Sequence, residues 1–202
     1  SLSDSLLVKR NNLQECYDFI GKDLDDAISL LPSASPGGQA NKWAALALKS
    51  RVMIYAASYA QFGVMDPDGF GAIAPAKAAD YWNQAYDAAN EVSTQGPYQL
   101  LTDLNTLFIP KGSTPSTESI FEIQYNPPIR GHGFHFFNGP NTEASAFTSS
   151  TNPSQQLVDA FPMSNGLSIT DPASGYVPQD PYKDRDSRLD ASVFHNGSPW
   201  RD

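Results

Sequence analysis

Apolar residues along the first third of the chain recur at three- and four-residue steps, the spacing of one helix face. Leu13, Cys16, Tyr17, Ile20, Leu24, Ala27, Ile28 and Leu31 follow it, with Asp23, Asp25 and Asp26 opposite. This predicts a long amphipathic helix over about 5–31, stopped by Pro32 and followed by a Pro/Gly/Ser loop over 33–39. A second helix is predicted over 41–62, with Asn41 as its N-cap and Gly63 at its end. Trp43, Leu46, Ala47, Val52, Met53, Ile54 and Tyr55 make it apolar nearly all round, and Lys49 and Arg51 are its only charges between Trp43 and Phe62. Such a helix belongs in the middle of a helical stack. A third helix, over 75–94, puts Ala78, Trp82, Ala85, Tyr86, Ala89 and Val92 on one face. Pro75 suits its first turn, and Gly96-Pro97 ends it. A short helical piece over 102–108 follows.

The period then changes. Ile120 to Tyr125 alternates apolar and polar residues and predicts a strand. Residues 126–151 read as irregular, with Pro127-Pro128, several glycines and many aromatics. A short helix is predicted over 153–161, and a loop over 166–181 with a short extended piece at 167–169. An aromatic, a Leu, a Tyr and an Ala on successive turns are the marks of tetratricopeptide-like hairpins. Trp43, Leu46, Tyr55 and Ala56 give one version, and Trp82, Ala85, Tyr86 and Ala89 a looser one, without a strict 34-residue repeat. The fold class expected is mainly α: tetratricopeptide-like helical hairpins over 1–110, with both tryptophans in core packing. A loop-rich region with few short strands is expected over 111–202.

Charge narrows the partners. The formal net charge of -9 repels phosphate backbones and argues against nucleic acid and against a polybasic membrane anchor. No run approaches the ~20 apolar residues of a membrane span. The single cysteine, Cys16, can form no internal disulfide, and its place on the apolar helix face predicts a buried, inert thiol.

Candidate chemistry is sparse. His132 and His135 lie two residues apart in a Gly-rich loop, but no second cysteine and no His-Glu-x-x-His helix accompanies them. Asp184, Asp186 and Asp190 have a spacing like that of a calcium loop, but Arg188 and Leu189 stand where such a loop wants an oxygen ligand and a glycine. Arg185 and Arg188 are expected to neutralise these aspartates in a structural turn. There is no Gly-x-Ser-x-Gly elbow, and Gly131, Gly133 and Gly139 do not make a phosphate loop. Paired carboxylates need only be placed together in space, so spacing does not exclude them. What stands out is an aromatic, amide-rich loop: Arg130, His132, Phe134, His135, Phe136, Phe137, Asn138 and Asn141. Rigid aromatic faces can stack on a sugar ring while amide and guanidinium groups hydrogen-bond its hydroxyls. Trp200 is a further platform candidate. The alternative for Phe136 and Phe137 is that they fill the gap between loop and helices.

Four segments in order resemble the SusD/RagB family. They are Asn41-Lys42-Trp43-Ala44-Ala45-Leu46-Ala47-Leu48-Lys49-Ser50-Arg51-Val52, Glu118 to Tyr125, Asn152 to Phe161, and the Arg-Asp-x-Arg-Leu turn within Pro181 to Leu189. The resemblance implies a non-catalytic lipoprotein of the outer membrane surface. Such a protein captures glycans or other nutrients and hands them to a SusC-like TonB-dependent transporter, with no cofactor. Tetratricopeptide-like helices would be the scaffold facing the transporter, and the loops after Tyr125 would hold ligand. It also implies a central piece of a longer protein, lipid-anchored outside this chain and leaving apolar helix faces exposed here. The sites expected to bind ligand are Arg130, His132, Phe134, Phe136, Phe137, Asn138, Asn141 and Trp200. The rival reading is a tetratricopeptide-type adaptor that holds a protein partner in a helical groove. A glycoside hydrolase fragment is a third.

Overall fold

The computed structural model describes residues 9–64, 68–107, 116–125, 128–131, 133–139 and 151–199, without the side chains of residues 105, 106, 135 and 136. The chain forms two compact units. One comprises residues 1–101 with 112–124, and the other residues 102–111 with 125–202.

The first unit is built on three helices: α1 (Leu13–Leu30), α2 (Lys42–Phe62) and α3 (Ala78–Gln95), the last entered through a 3₁₀ turn at Pro75–Lys77. The helix α1 starts at Leu13, later than the predicted residue 5, and residues 5–8 lie outside the described residues. The Asn12 side chain accepts from the Glu15 N–H at 2.8 Å, and the Glu15 carboxylate accepts from the Asn12 N–H at 3.0 Å. This reciprocal box satisfies two otherwise orphaned donors and fixes the start. At the other end Leu31 is extended, as the residue before a proline prefers. Both boundaries of α2 match expectation: Asn41 caps the Ala44 N–H at 2.9 Å, and the Gly63 N–H closes on the Tyr59 carbonyl.

As its all-round apolar sequence requires, α2 packs against both α1 and α3. Met53, Ala56, Ala57, Ala60, Ile73, Tyr81 and Ala85 form one buried cluster, with Leu13 and Tyr17 against it. Alanines at the contact let the helix backbones approach closely. Gly21 does the same on α1, where a Cβ would stand 2.8 Å from the Met53 methyl. A second cluster joins Trp43, Leu46 and Ala88, flanked by Ile28, Val92, Tyr98 and Ile120. Trp43 is therefore core, and its indole N–H donates to the Ser33 carbonyl at 2.9 Å.

Two expectations about helix faces are corrected. Trp82 is 37% exposed and spends its indole N–H on the Gln61 side chain, so it is not core. The buried stripe of α3 is Tyr81, Ala85 and Ala88; it shares Ala85 with the predicted stripe, whose Ala78 and Val92 also pack against the core, whereas Trp82, Tyr86 and Ala89 are exposed. Both stripes are apolar at helical spacing. The Tyr81 hydroxyl, which donates to the Asp18 carboxylate at 2.7 Å, belongs to the stripe that packs. Cys16 is exposed, because α1 turns Leu13, Tyr17 and Gly21 inward and leaves Cys16, Phe19 and Ile20 outside.

Residues 116–124 lie along 98–101. The Gln99 N–H donates to the Thr117 carbonyl, and the Leu101 N–H to the Glu118 carboxylate at 2.6 Å. The strand expected over 120–125 does not form, because no neighbouring strand pairs with it among the described residues.

Among the described residues, the second unit holds four short helices: α4 (Leu104–Leu107), α5 (Phe134–Asn138), α6 (Gln155–Ala160) and α7 (Ser187–Ser192). Of these, α4 and α6 fall within predicted segments, whereas α5 and α7 fall where loop or turn was expected. α4 contacts α7. The β pairing between described residues is an isolated antiparallel bridge, Met163 with Arg185. The extended piece expected at 167–169 instead closes a turn, with the Leu167 carbonyl accepting from the Met163 N–H.

Candidate functional site

In the second unit the aromatic loop is organised by α5. The Phe137 N–H donates to the Gly133 carbonyl at 3.1 Å, opening the helix. A Cβ at Gly133 would lie 2.8 Å from the Phe137 ring, so that ring covers a position only glycine leaves open. Phe134 and Phe137, three residues apart, share one side of this helix. They are 64% and 50% exposed. The Asn138 side-chain amide donates back to the Phe134 carbonyl at 2.8 Å, which ties the helix end to its start. Nearby in sequence, the Arg130 guanidinium lies 5.4 Å from the centroid of the Tyr125 ring. A guanidinium over an aromatic face is held electrostatically while its N–H groups remain available at the edge.

Of the sequence-predicted ligand residues, Phe134, Phe137 and Asn138 are thus gathered on one helix, and Arg130 sits on Tyr125. Phe136 lies in the same helix, but its side chain is outside the described residues, as is that of His135. His132, Asn141 and Trp200 also fall outside them. Tyr125 was read only as part of a strand. Its aromatic ring five residues before an arginine was the signal that could have added it to the site.

The Arg-Asp-x-Arg-Leu turn is a second constellation, and its two arginines do different work. Arg188 pairs with Asp186 as expected, its Nε and Nη2 donating to the carboxylate at 2.8 and 2.7 Å. These bonds, with one from the Arg188 backbone, lower the Asp186 carboxyl from its ordinary 3.8 to about 2. Arg185 does not neutralise the aspartates. Its guanidinium is buried and donates to the carbonyls of Pro181, Val158 and Phe161 at 2.7–2.8 Å, closing the end of α6. A cation suits the carbonyls at the C-terminal end of that helix. Asp190 meets the His195 ring at 2.8 Å, and that ring stacks on Tyr182 at 3.9 Å. The Asp186 and Asp190 oxygens are thus engaged by protein groups, and no cluster of three metal-ligating side chains occurs among the described residues.

In the first unit a cleft of about 240 Å³ is lined by Asp18, Lys22, Lys77, Asp80 and Tyr81. Burial, and then the bond to Asp18, push the Tyr81 phenol well above its usual range. Burial, and then neighbouring Tyr59 and Tyr55, raise that of Tyr17. Both phenols therefore stay neutral at physiological pH, which suits packing rather than acid–base work.

Two family models match the chain. One, described as starch-binding and associating with the outer membrane, covers residues 3–54. The other, the SusD family, covers residues 117–202. The chain belongs to the SusD/RagB family. The first match contains the Trp43 helix segment, and the second contains the other three resembling segments together with α5 and the Arg185 turn. SusD-family membership associates the chain with glycan binding at the outer membrane. No curated protein and no solved structure matches the chain. No helix among the described residues is long and apolar enough to cross a membrane.

Proposed function

We propose that this SusD-family chain captures oligosaccharide or polysaccharide at the cell surface and delivers it to a SusC-like TonB-dependent transporter, without catalysing a reaction. The protein would be held at the outer membrane by a lipid anchor. The ligand site is the loop region around α5: Arg130, His132, Phe134, Phe136, Phe137, Asn138 and Asn141, extended by Tyr125, with Trp200 as a further platform. The observation that carries this reading is the pair of exposed rings, Phe134 and Phe137, presented on one side of a short helix within the stretch matched by the SusD family model. Exposed aromatics contribute little to folding, and they offer flat faces for the apolar side of a sugar ring.

Affinity electrophoresis and calorimetry against a polysaccharide panel test it. At least one glycan should retard the chain, and the Phe134→Ala, Phe137→Ala double variant should lose that retardation with unchanged helical circular dichroism. Retardation that survives the double variant moves the site away from α5. Failure with every glycan favours a peptide or another nutrient. Incubation of the purified chain with the retained polysaccharide should release no reducing ends, and steady release would rule out a purely binding role.

A further inference from the structure

Acidic residues avoid the aromatic loop. The chain carries 22 Asp and Glu and a formal charge of -9, yet over residues 123–158 the acids reduce to Glu143, which lies outside the described residues. At the chain's average density of acids, 22 in 202, a stretch of this length would hold about four. Arg130 balances Glu143, so the whole net charge lies elsewhere in the chain, while two of the three histidines, His132 and His135, lie inside the stretch. Local charge counts most for a ligand there, because exposed charges beyond about 8 Å are largely screened at physiological ionic strength. Within the stretch Arg130 is prepared for an anion. Its guanidinium lies over the Tyr125 ring, 5.4 Å from the centroid, and has no ion-pair partner among the described residues. An aromatic face holds the guanidinium while its N–H fork stays open at the edge. That fork matches the paired oxygens of a carboxylate or a sulfate, and such charge-assisted pairs are about twice as strong as bonds to neutral hydroxyls. On α5, by contrast, Asn138 already spends an amide N–H on the Phe134 carbonyl. Arg130 and Phe134 are four residues apart, so their Cα atoms lie within about 14 Å of each other, a gap that a short oligosaccharide spans.

Resting on the reading of α5 as a glycan platform, we propose that the glycan it selects is acidic, with one anionic group in the Arg130 fork and a neighbouring sugar ring on Phe134 or Phe137. The aromatic rings supply contact area and are indifferent to charge. Arg130 supplies the selection. A uronate carboxylate and a sulfate ester share the chemistry that the fork recognises. One anionic group in one fork also differs from the continuous phosphate ladder of a nucleic acid, which the chain's overall charge of -9 repels.

The test sets the whole chain against matched glycan pairs by affinity electrophoresis and calorimetry. The pairs are polygalacturonate and polymannuronate with their carboxyl-reduced forms, and a sulfated galactan with its desulfated form. At least one acidic member should bind at least about tenfold more tightly than its neutral counterpart, and added salt should shrink that preference. A preference within the uronate pairs assigns a carboxylate, and one within the galactan pair a sulfate ester. Arg130→Gln should bring the preference down to about one, whereas Arg130→Lys should keep part of it, because lysine retains the charge and loses the fork. The pairs are read on the unaltered chain, so their outcome stands whatever a substitution does to folding. Neutral counterparts that bind as tightly as the acidic glycans overturn the proposal and leave α5 as a glycan platform. So does a preference that survives Arg130→Gln, which puts the anion elsewhere. Absence of binding to every glycan, or binding that survives the Phe134→Ala, Phe137→Ala double variant, overturns the platform reading and the proposal with it.

Discussion

In the helical unit the buried side chains are, apart from Ser50, apolar and mostly small among the described residues: Ala56, Ala57, Ala60, Ala85 and Ala88 around Met53, Leu46, Trp43 and Tyr81. In the loop unit the buried apolar side chains among the described residues are Val158, Met163 and Leu189, and beside them sits a buried arginine. The first unit is held by close helix packing, which accumulates over many weak contacts. The second closes its loops on directed hydrogen bonds from one cation to three carbonyls. A scaffold of the first kind tolerates change on its outer faces. A loop array of the second kind keeps its surface side chains out of its core and so leaves aromatics such as Phe134 and Phe137 outside.

The largest expected effect separates the two mechanisms. Met53→Ala empties the centre of the helical cluster and should cost about 2–5 kcal/mol, the range for truncating a buried large side chain. Hydrogen exchange should show lost protection at the amides of Ala57, Ala60, Ala85 and Ala88, with those of Met163 and Asp186 little changed. Equal loss in both units would mean that they unfold together. Next in size, Arg185→Met keeps the apolar stem but strands the carbonyls of Phe161 and Pro181 and leaves that of Val158 with only the Phe161 N–H at 3.4 Å. At about 1 kcal/mol or more for each stranded acceptor, the loss should be about 2 kcal/mol or more, concentrated in the loop unit. A variant as stable as the parent would refute the polar lock.

How much of this was legible depends on what kind of physics fixed each feature. The ends of α2 were readable because Asn41 and Gly63 are local signals. The start of α1 was equally local, in Asn12-x-x-Glu15, although the helix was predicted to begin further upstream. The inward face of α3 was only partly readable. The predicted face held Ala78, Ala85 and Val92 correctly but took Trp82, Tyr86 and Ala89 in place of Tyr81 and Ala88, and only the neighbour with Asp18 decides between them. Period alone likewise identified the alternation at 120–125 but could not supply the strand that pairing requires. In the site, the aromatic cluster could be seen in composition. The helix that presents it could not, because α5 is a single turn opened by a glycine. The role of Arg185 lay in three carbonyls 4 to 27 residues away, which no spacing reveals.

A smaller effect tests polar contacts inside the helical unit. Tyr81→Phe removes the donor to Asp18 while keeping the ring in the core. Because Asp18 is exposed and water can replace the hydroxyl, the loss should be about 1 kcal/mol, well below that of Met53→Ala. A loss as large as the Met53 variant's would show that the helical unit also depends on a directed bond, which would erode the contrast.

The smallest effect lies at the surface of the loop unit and is read by pH. Asp186 caps α7 and is gripped by Arg188, so its carboxyl titrates near 2 in the folded chain against an ordinary 3.8. A group depressed by folding stabilises the fold fully above its unfolded value and ceases to do so as the pH falls through its folded one. Its contribution is therefore complete above about pH 4 and fades between there and about pH 2. Comparing Asp186→Asn with the parent by urea unfolding across this window isolates it. The parent's advantage should shrink as acid is added, and salt should reduce it at neutral pH because the pair is exposed to solvent. An advantage that stays constant down to pH 2 would mean that the cap acts through its shape alone. The loop unit's polar contacts would then divide between the buried Arg185 lock, which acid leaves intact, and surface turns that contribute only geometry.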